Sequence, residues 1–200
     1  MKMDIAMIPP LKPGAKLLHV DGPVIETARL ILRPWRSSDV AANTAMLSDP
    51  ATARFITPDG MPVTTEINGW RNAAVISGHW ALHGFGMFAV EEKSSGKYIG
   101  RVGPWSPPQW PGFEVGWGIA QECRGKGYAV EAARASIDWV FATFEIEEII
   151  HCIEPVNAPS QAVARRLGAR KDRDGDLWGK TTEIWVTSRG TWRDSRATPN

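Results

Sequence analysis

Phe113-Glu114-Val115-Gly116-Trp117-Gly118-Ile119, then Arg124-Gly125-Lys126-Gly127-Tyr128-Ala129, then an amphipathic run to Phe144: this stretch decides the fold. Its first part reads as a strand whose glycines suggest a bulge, or a backbone that something approaches closely. Its last part reads as a helix over 127–144. Val130, Ala133, Ile137, Val140, Phe141 and Phe144 recur at helical spacing and make one apolar stripe. The turn between them holds two glycines one residue apart, flanked by Arg124 and Lys126. A helix N-terminus presents unpaired N–H groups and the positive end of its dipole. Glycine lets that backbone approach a phosphate without a Cβ in the way. Strand, glycine turn and helix together make an anion site.

Three readings of the turn compete. The GxxxxGK[ST] phosphate loop is absent. The GxGxxG dinucleotide pattern lacks its third glycine, and the strand after the helix ends in Glu154-Pro155 rather than a ribose-binding acid. Taken alone, the glycines are explained equally well by a tight turn that opens a helix.

Outward from this stretch, the order of elements predicts an α/β fold with a sheet of mixed direction. Leu30-Ile31-Leu32-Arg33 is β-prone and is stopped by Pro34. Ser38 and Asp39 open a helix that Asp49-Pro50 closes. Thr65 to about Ser77 reads as a second helix. Met87–Glu91 and Tyr98–Val102 form a hairpin around Ser94-Ser95-Gly96-Lys97. Pro104–Gly112 is a stiff loop with four prolines and two tryptophans. Glu148–Ile153 is a buried-type strand. Asn157–Leu167 is a short helix capped by Asn157, with Pro159 in its first turn and Gly168 ending it. A last strand lies around Thr182–Val186. The domain spans 26–190. Residues 1–25 form a proline-rich arm packed on the domain or on a neighbour, which keeps a homodimer among the expected assemblies. Residues 191–200 form a polar tail.

Composition narrows the class. With 200 residues, 43% apolar and 22% charged, one domain can bury a sizeable core. The formal charge of +1 gives no global field toward nucleic acid or an anionic membrane, so neither is an expected partner. Cys123 and Cys152 form neither a CxxC pair nor a zinc spacing, and the histidines are scattered, so no metal is expected. Both read as free thiols, Cys152 as a buried small hydrophobe. The N-terminus lacks a signal peptide's apolar stretch, and no run reaches bilayer length; a cytoplasmic protein is the expectation.

At this point the sequence resembles the GCN5-related N-acetyltransferases. Their pyrophosphate motif, Q/R-x-x-G-x-G/A, is matched at every fixed position by Arg124 to Ala129. Further stretches agree in order and spacing. These are Thr27-Ala28-Arg29-Leu30-Ile31-Leu32-Arg33-Pro34, Ile99-Gly100, Phe113–Trp117, and Asn157-Ala158-Pro159-Ser160-Gln161 before Leu167-Gly168-Ala169. The likeness runs from about Glu26 to Val186. It looks most similar to the subgroup that acetylates N-termini of ribosomal proteins, and to its small-molecule relatives.

The resemblance implies a mixed central sheet with two splayed parallel strands, flanked by helices. Acetyl-CoA would lie in the splay as co-substrate. Backbone groups of Trp117, Gly118 and Ile119 would pair with its pantetheine. The amides of Arg124, Gly125, Lys126, Gly127, Tyr128 and Ala129 would take its pyrophosphate, helped by the Arg124 and Lys126 side chains. Asn157 would touch the pantetheine arm. Ser160 would donate to the leaving thiolate, where many relatives use tyrosine; plain helix capping by Asn157 and Ser160 is the competing reading. The amine acceptor would be deprotonated by Glu114. Orienting the substrate, or pairing with an arginine, stands as the alternative for Glu114. Trp105, Trp110 and Glu114 are the expected acceptor-site residues. A non-catalytic CoA sensor is the competing function.

Overall fold

The computed structural model describes residues 11–16 and 21–197. Residues 1–10, 17–20 and 198–200 lie outside the described residues, so most of the expected arm and the end of the expected tail do too. One sheet is built from β1 (Ile25–Glu26), β2 (Leu30–Arg33), β3 (Phe88–Glu92), β4 (Lys97–Trp105), β5 (Glu114–Ile119), β6 (Glu148–Ile153), β7 (Arg170–Leu177) and β8 (Lys180–Ser188). The strand order is β1-β2-β3-β4-β5-β6-β8-β7. Every neighbouring pair is antiparallel except β5 and β6, which run parallel. This is the expected mixed α/β sheet.

The pleat sends alternate residues of each strand to opposite faces. On one face Leu32, Val90, Val102, Val115 and Ile149 form the main core with α4 (Tyr128–Thr143). Ala133, Ile137 and Val140, members of the expected stripe, are fully buried there. Against the other face lie α1 (Asp39–Ser48), α2 (Pro50–Ile56) and α3 (Glu66–His83). A Cβ on Gly118 would meet Ile56 of α2, with Met46 of α1 beyond it. α5 (Ala158–Arg166) and α6 (Arg189–Ala197) complete the chain. Arg33 anchors the first corner: its guanidinium bridges Asp39 and Glu91, each at 2.8 Å.

Four expectations differ from what forms. Asp49-Pro50 closes α1 but also opens α2. The Asp49 carboxylate accepts from the amides of Ala51 and Thr52, and Pro50 sits in the first turn, where its missing N–H is harmless. α3 continues past Ser77 to His83, because His79 and Trp80 bury a further turn and outweigh the cost of Gly78, about 1 kcal/mol. Gly84, left-handed at φ 74°, ends it. Arg170, Lys171 and Arg173, in a stretch between Gly168 and the last expected strand for which the sequence predicts no element, lie in β7, which pairs with β8 along its length; charge on an edge strand is a normal guard against further pairing. The tail is helical through Ala197. Trp192 enters the core, and its indole N–H donates to Asp138 on α4 at 2.8 Å.

Candidate active site

β5 and β6 meet at one register pair, Glu114 opposite Ile150, and then separate. Beyond that rung, side chains stand where ladder bonds would be. The Cys152 amide donates to Glu114 Oε1 at 3.0 Å. His151 Nδ1 lies 2.7 Å from the Val115 carbonyl. A carbonyl only accepts, so Nδ1 carries the proton and Nε2 accepts from the Thr187 hydroxyl at 3.1 Å. Burial pushes the His151 pKa down to about 4, so the ring is neutral near physiological pH. The result is a wedge whose β5 wall, Gly116 to Ile119, β6 does not cover.

At the open end of the wedge lies the glycine turn. Gly125 and Gly127 are left-handed, at φ 77° and 81°. Open space surrounds the Cβ position of Gly125, so conformation alone demands glycine there. Gly127 caps α4, and no side chain bonds to the helix's first amides. Those N–H groups and the dipole of a 16-residue helix point outward together. The turn is clamped from β2's entry. Arg29 donates to the Lys126 carbonyl at 2.9 Å and pairs with Glu131 at 2.6 Å. Burial works against the Glu131 charge, yet the Thr27 hydroxyl, the Arg29 amide and the Arg29 guanidinium together hold its carboxyl below the usual range.

The basic side chains of the turn are differently engaged. Arg124 folds back: Nε donates to the Ile119 carbonyl at 3.0 Å, and Nη2 donates to Thr52 on α2. The Lys126 ammonium lies 5.9 Å from the Tyr128 ring centre, and Lys126 is not part of the cavity wall. Tyr128 is buried and donates to Glu92. What the turn presents to the cavity is therefore chiefly backbone.

From the turn a cavity of about 580 Å³ runs along β5 to Glu114 and an aromatic wall. Glu114 is buried. Trp110 Nε1 donates to its Oε2 at 2.6 Å. Desolvation outweighs the hydrogen bonds from Cys152 and Trp110 and pushes its pKa up to about 7. Trp105 and Trp178 meet Trp110 edge-on, at 6.5 and 5.4 Å. On the opposite side, Trp117 Nε1 lies 3.4 Å from Ser160 Oγ, and Asn157 Oδ1 accepts from the Ser160 amide at 3.2 Å. Cys152, expected inside the core, lines this cavity instead; burial and the adjacent Glu114 push its thiol pKa up, so it stays protonated.

Residues 29–170 match the family model described as the acetyltransferase (GNAT) domain. The chain belongs to the GNAT acetyltransferases. It is 29% identical over 105 residues to YkkB of Bacillus subtilis, a match covering 52% of this chain and spanning 61% of that relative's length. To YnaD of the same organism, which is named an N-acetyltransferase, it is 27% identical over 74% of this chain and 83% of the relative. Among solved structures, an acetyltransferase from Agrobacterium tumefaciens shares 27% identity at a TM-score of 0.73, covering 88% of this chain and all of that one. RimJ of Mycobacterium smegmatis, solved with a CoA-disulfide, shares the fold at a TM-score of 0.64 and 20% identity, over 81% and 83% of the two chains.

This GNAT protein is thus an acyltransferase of a family that uses acetyl-CoA. Its expected site residues come together around one cavity: Glu114, Trp117, Asn157, Ser160, Trp105, Trp110 and the glycine turn. Lys126 is the exception. Missed from sequence were Trp178, Asn72 and Arg101, which line the same cavity. For Trp178 the signal was a bulky residue just before Gly179 in a hairpin turn, held left-handed at φ 57°. Among the described residues, no cluster of three or more potential metal ligands occurs, and no helix is long and apolar enough to cross a membrane.

Proposed function

We propose that this GNAT acetyltransferase moves an acetyl group from acetyl-CoA to a primary amine, of a protein N-terminus or a small molecule, by direct attack. The observation that carries this reading is the wedge between β5 and β6, with a buried carboxylate at its apex and an uncapped helix end at its mouth. The first amides of α4 suit a pyrophosphate. The uncovered β5 backbone from Trp117 to Ile119 suits the amide groups of a pantetheine arm, with Asn157 beside it. When bound, acetyl-CoA supplies an activated thioester. Glu114, with its pKa near neutrality, takes a proton from the acceptor's ammonium and leaves the neutral amine that attacks. Nitrogen bonds to the acetyl carbon, the carbon–sulfur bond breaks, and the proton that nitrogen then sheds goes to the departing thiolate, to which Ser160 is positioned to donate a hydrogen bond. A backbone N–H of β5 can stabilise charge on the carbonyl oxygen. The cytoplasm is the setting we assign, in keeping with two free cysteines.

The test is purified protein with acetyl-CoA and a panel of amines, read by release of free thiol. Thiol release that depends on both acetyl-CoA and an amine is expected. CoA binding with no thiol release on any amine would make the protein a CoA sensor instead.

A further inference from the structure

The β4–β5 ribbon carries a second polar feature that the acetyl transfer does not use. Its register sets Arg101 opposite Gly118, Gly103 opposite Gly116 and Trp105 opposite Glu114. Directly opposed residues share a face. That face therefore has a floor of three glycines between Glu114 and Arg101, over which Met87 Cε and Ile56 Cδ1 stand, 2.8 and 2.7 Å from where Cβ atoms of Gly116 and Gly118 would lie. A Cβ on Gly116 would lie 3.5 Å from Glu114 Oε1, and one on Gly118 would lie 3.9 Å from Arg101 Cγ. The two glycines are two strand residues apart, about 7 Å.

Arg101 is 7% exposed and lines the cavity, as does Asn72. Its hydrogen bond runs from Nη1 to Asn72 Oδ1 at 2.7 Å, and among the described residues no carboxylate pairs with it. The same Asn72 oxygen accepts from Asn43 Nδ2 at 3.1 Å, and Asn43 Oδ1 accepts from the Tyr98 hydroxyl at 3.1 Å. Burial drives the Tyr98 pKa above its ordinary value, so no phenolate balances the charge. With its oxygen held by two donors, Asn72 keeps its amide N–H₂ to offer. Arg33, equally buried, shows the usual arrangement: two carboxylates compensate it. A cation taken out of water without a counter-ion is costly, which argues that its partner arrives with a ligand. Arginine beside an amide is suited to a planar carboxylate.

We propose that the acceptor is a small amine that also carries a carboxylate, bound by Arg101 and Asn72 while its amino group faces Glu114. The short span of floor suits an amino acid, with its side chain against Trp105 and Trp110. The proposal rests on the reading of the site as an amine acetyltransferase and narrows its acceptor.

The test uses the full chain saturated with CoA. Tryptophan and tryptamine, phenylalanine and phenethylamine, and leucine and isoamylamine are titrated by calorimetry. In at least one pair the carboxylate-bearing member is expected to bind tighter by about tenfold or more. R101Q should erase that advantage and leave the dissociation constant for CoA unchanged, and R101K should restore part of it. Equal affinity within every pair, in wild-type protein alone, would overturn the proposal. So would a preference that survives in R101Q, or a loss in R101Q that falls on CoA and not on the acceptor. Parallel thiol-release assays separate the two levels. A preference in binding with no thiol release removes the acetyltransferase reading and keeps the carboxylate site; thiol release that ignores the carboxylate does the reverse.

Discussion

The two faces of the β4–β5 ribbon are made by the same two strands and do opposite things. Toward α4, Val102, Val115 and Ile119 join Ala133, Ile137 and Val140 in the core. Toward α1 to α3, Arg101, Gly103 and Trp105 stand across from Glu114, Gly116 and Gly118, and a cavity remains. The strand period of two separates these sets residue by residue. Stability and chemistry are thus divided by the pleat, not by the segment. A substitution's effect should depend on which side of the ribbon it faces, even between neighbours in sequence.

The largest effect should come from the cavity side. Under the proposed chemistry Glu114→Gln should lower kcat by a factor on the order of 10² to 10⁴. The sign of the pH dependence follows from burial: the working form is the carboxylate, its pKa is raised to about 7, and activity should rise as pH rises through that value. The limb should vanish in E114Q; a limb that persists would assign it to another group. On the packed side, Ile137→Ala should cost on the order of 2–5 kcal/mol in urea unfolding, while the folded variant keeps its wild-type acceptor KM. A change in KM would blur the division between faces.

Smaller effects should sharpen it. Gly116→Val places a side chain on the cavity floor, where a Cβ would meet the Met87 methyl at 2.8 Å. Acceptor KM should rise by about tenfold with CoA affinity kept, as measured by steady-state kinetics beside CoA titration. Trp110→Phe keeps the ring but removes the N–H donated to Glu114. That bond favours the charged form, so the acidic limb should move to higher pH with only a modest change in kcat.

The part of the molecule that could be read in sequence follows the same physics. α4 and its glycine turn were legible because a long helix with one apolar stripe, opened by two glycines one residue apart, leaves few other structures. Glu114 was singled out only through the family resemblance, by its place one step into the glycine-broken strand. β7 was not legible: Arg170 to Leu177 has no apolar alternation, and its strand state comes from β8. α2 was hidden because an Asp-Pro pair ends one helix with the same chemistry that starts another. Arg101 was hidden because a charge inside a strand declares its meaning only once the facing residue is known to be glycine. Trp192 reads as polar tail from its neighbours, yet the helix turns its ring inward.

The single rung between β5 and β6 has a mechanical consequence. Antiparallel ladders run through β1 to β5 and again through β6, β8 and β7, so the sheet is two stiff plates. Between them stand one backbone rung and a few side-chain props. Shear concentrates along the weakest line of a plate, and here that line is the floor of the cleft. A molecule laid along it would act as mortar, turning two plates into one slab and slowing amide exchange on both sides of the joint.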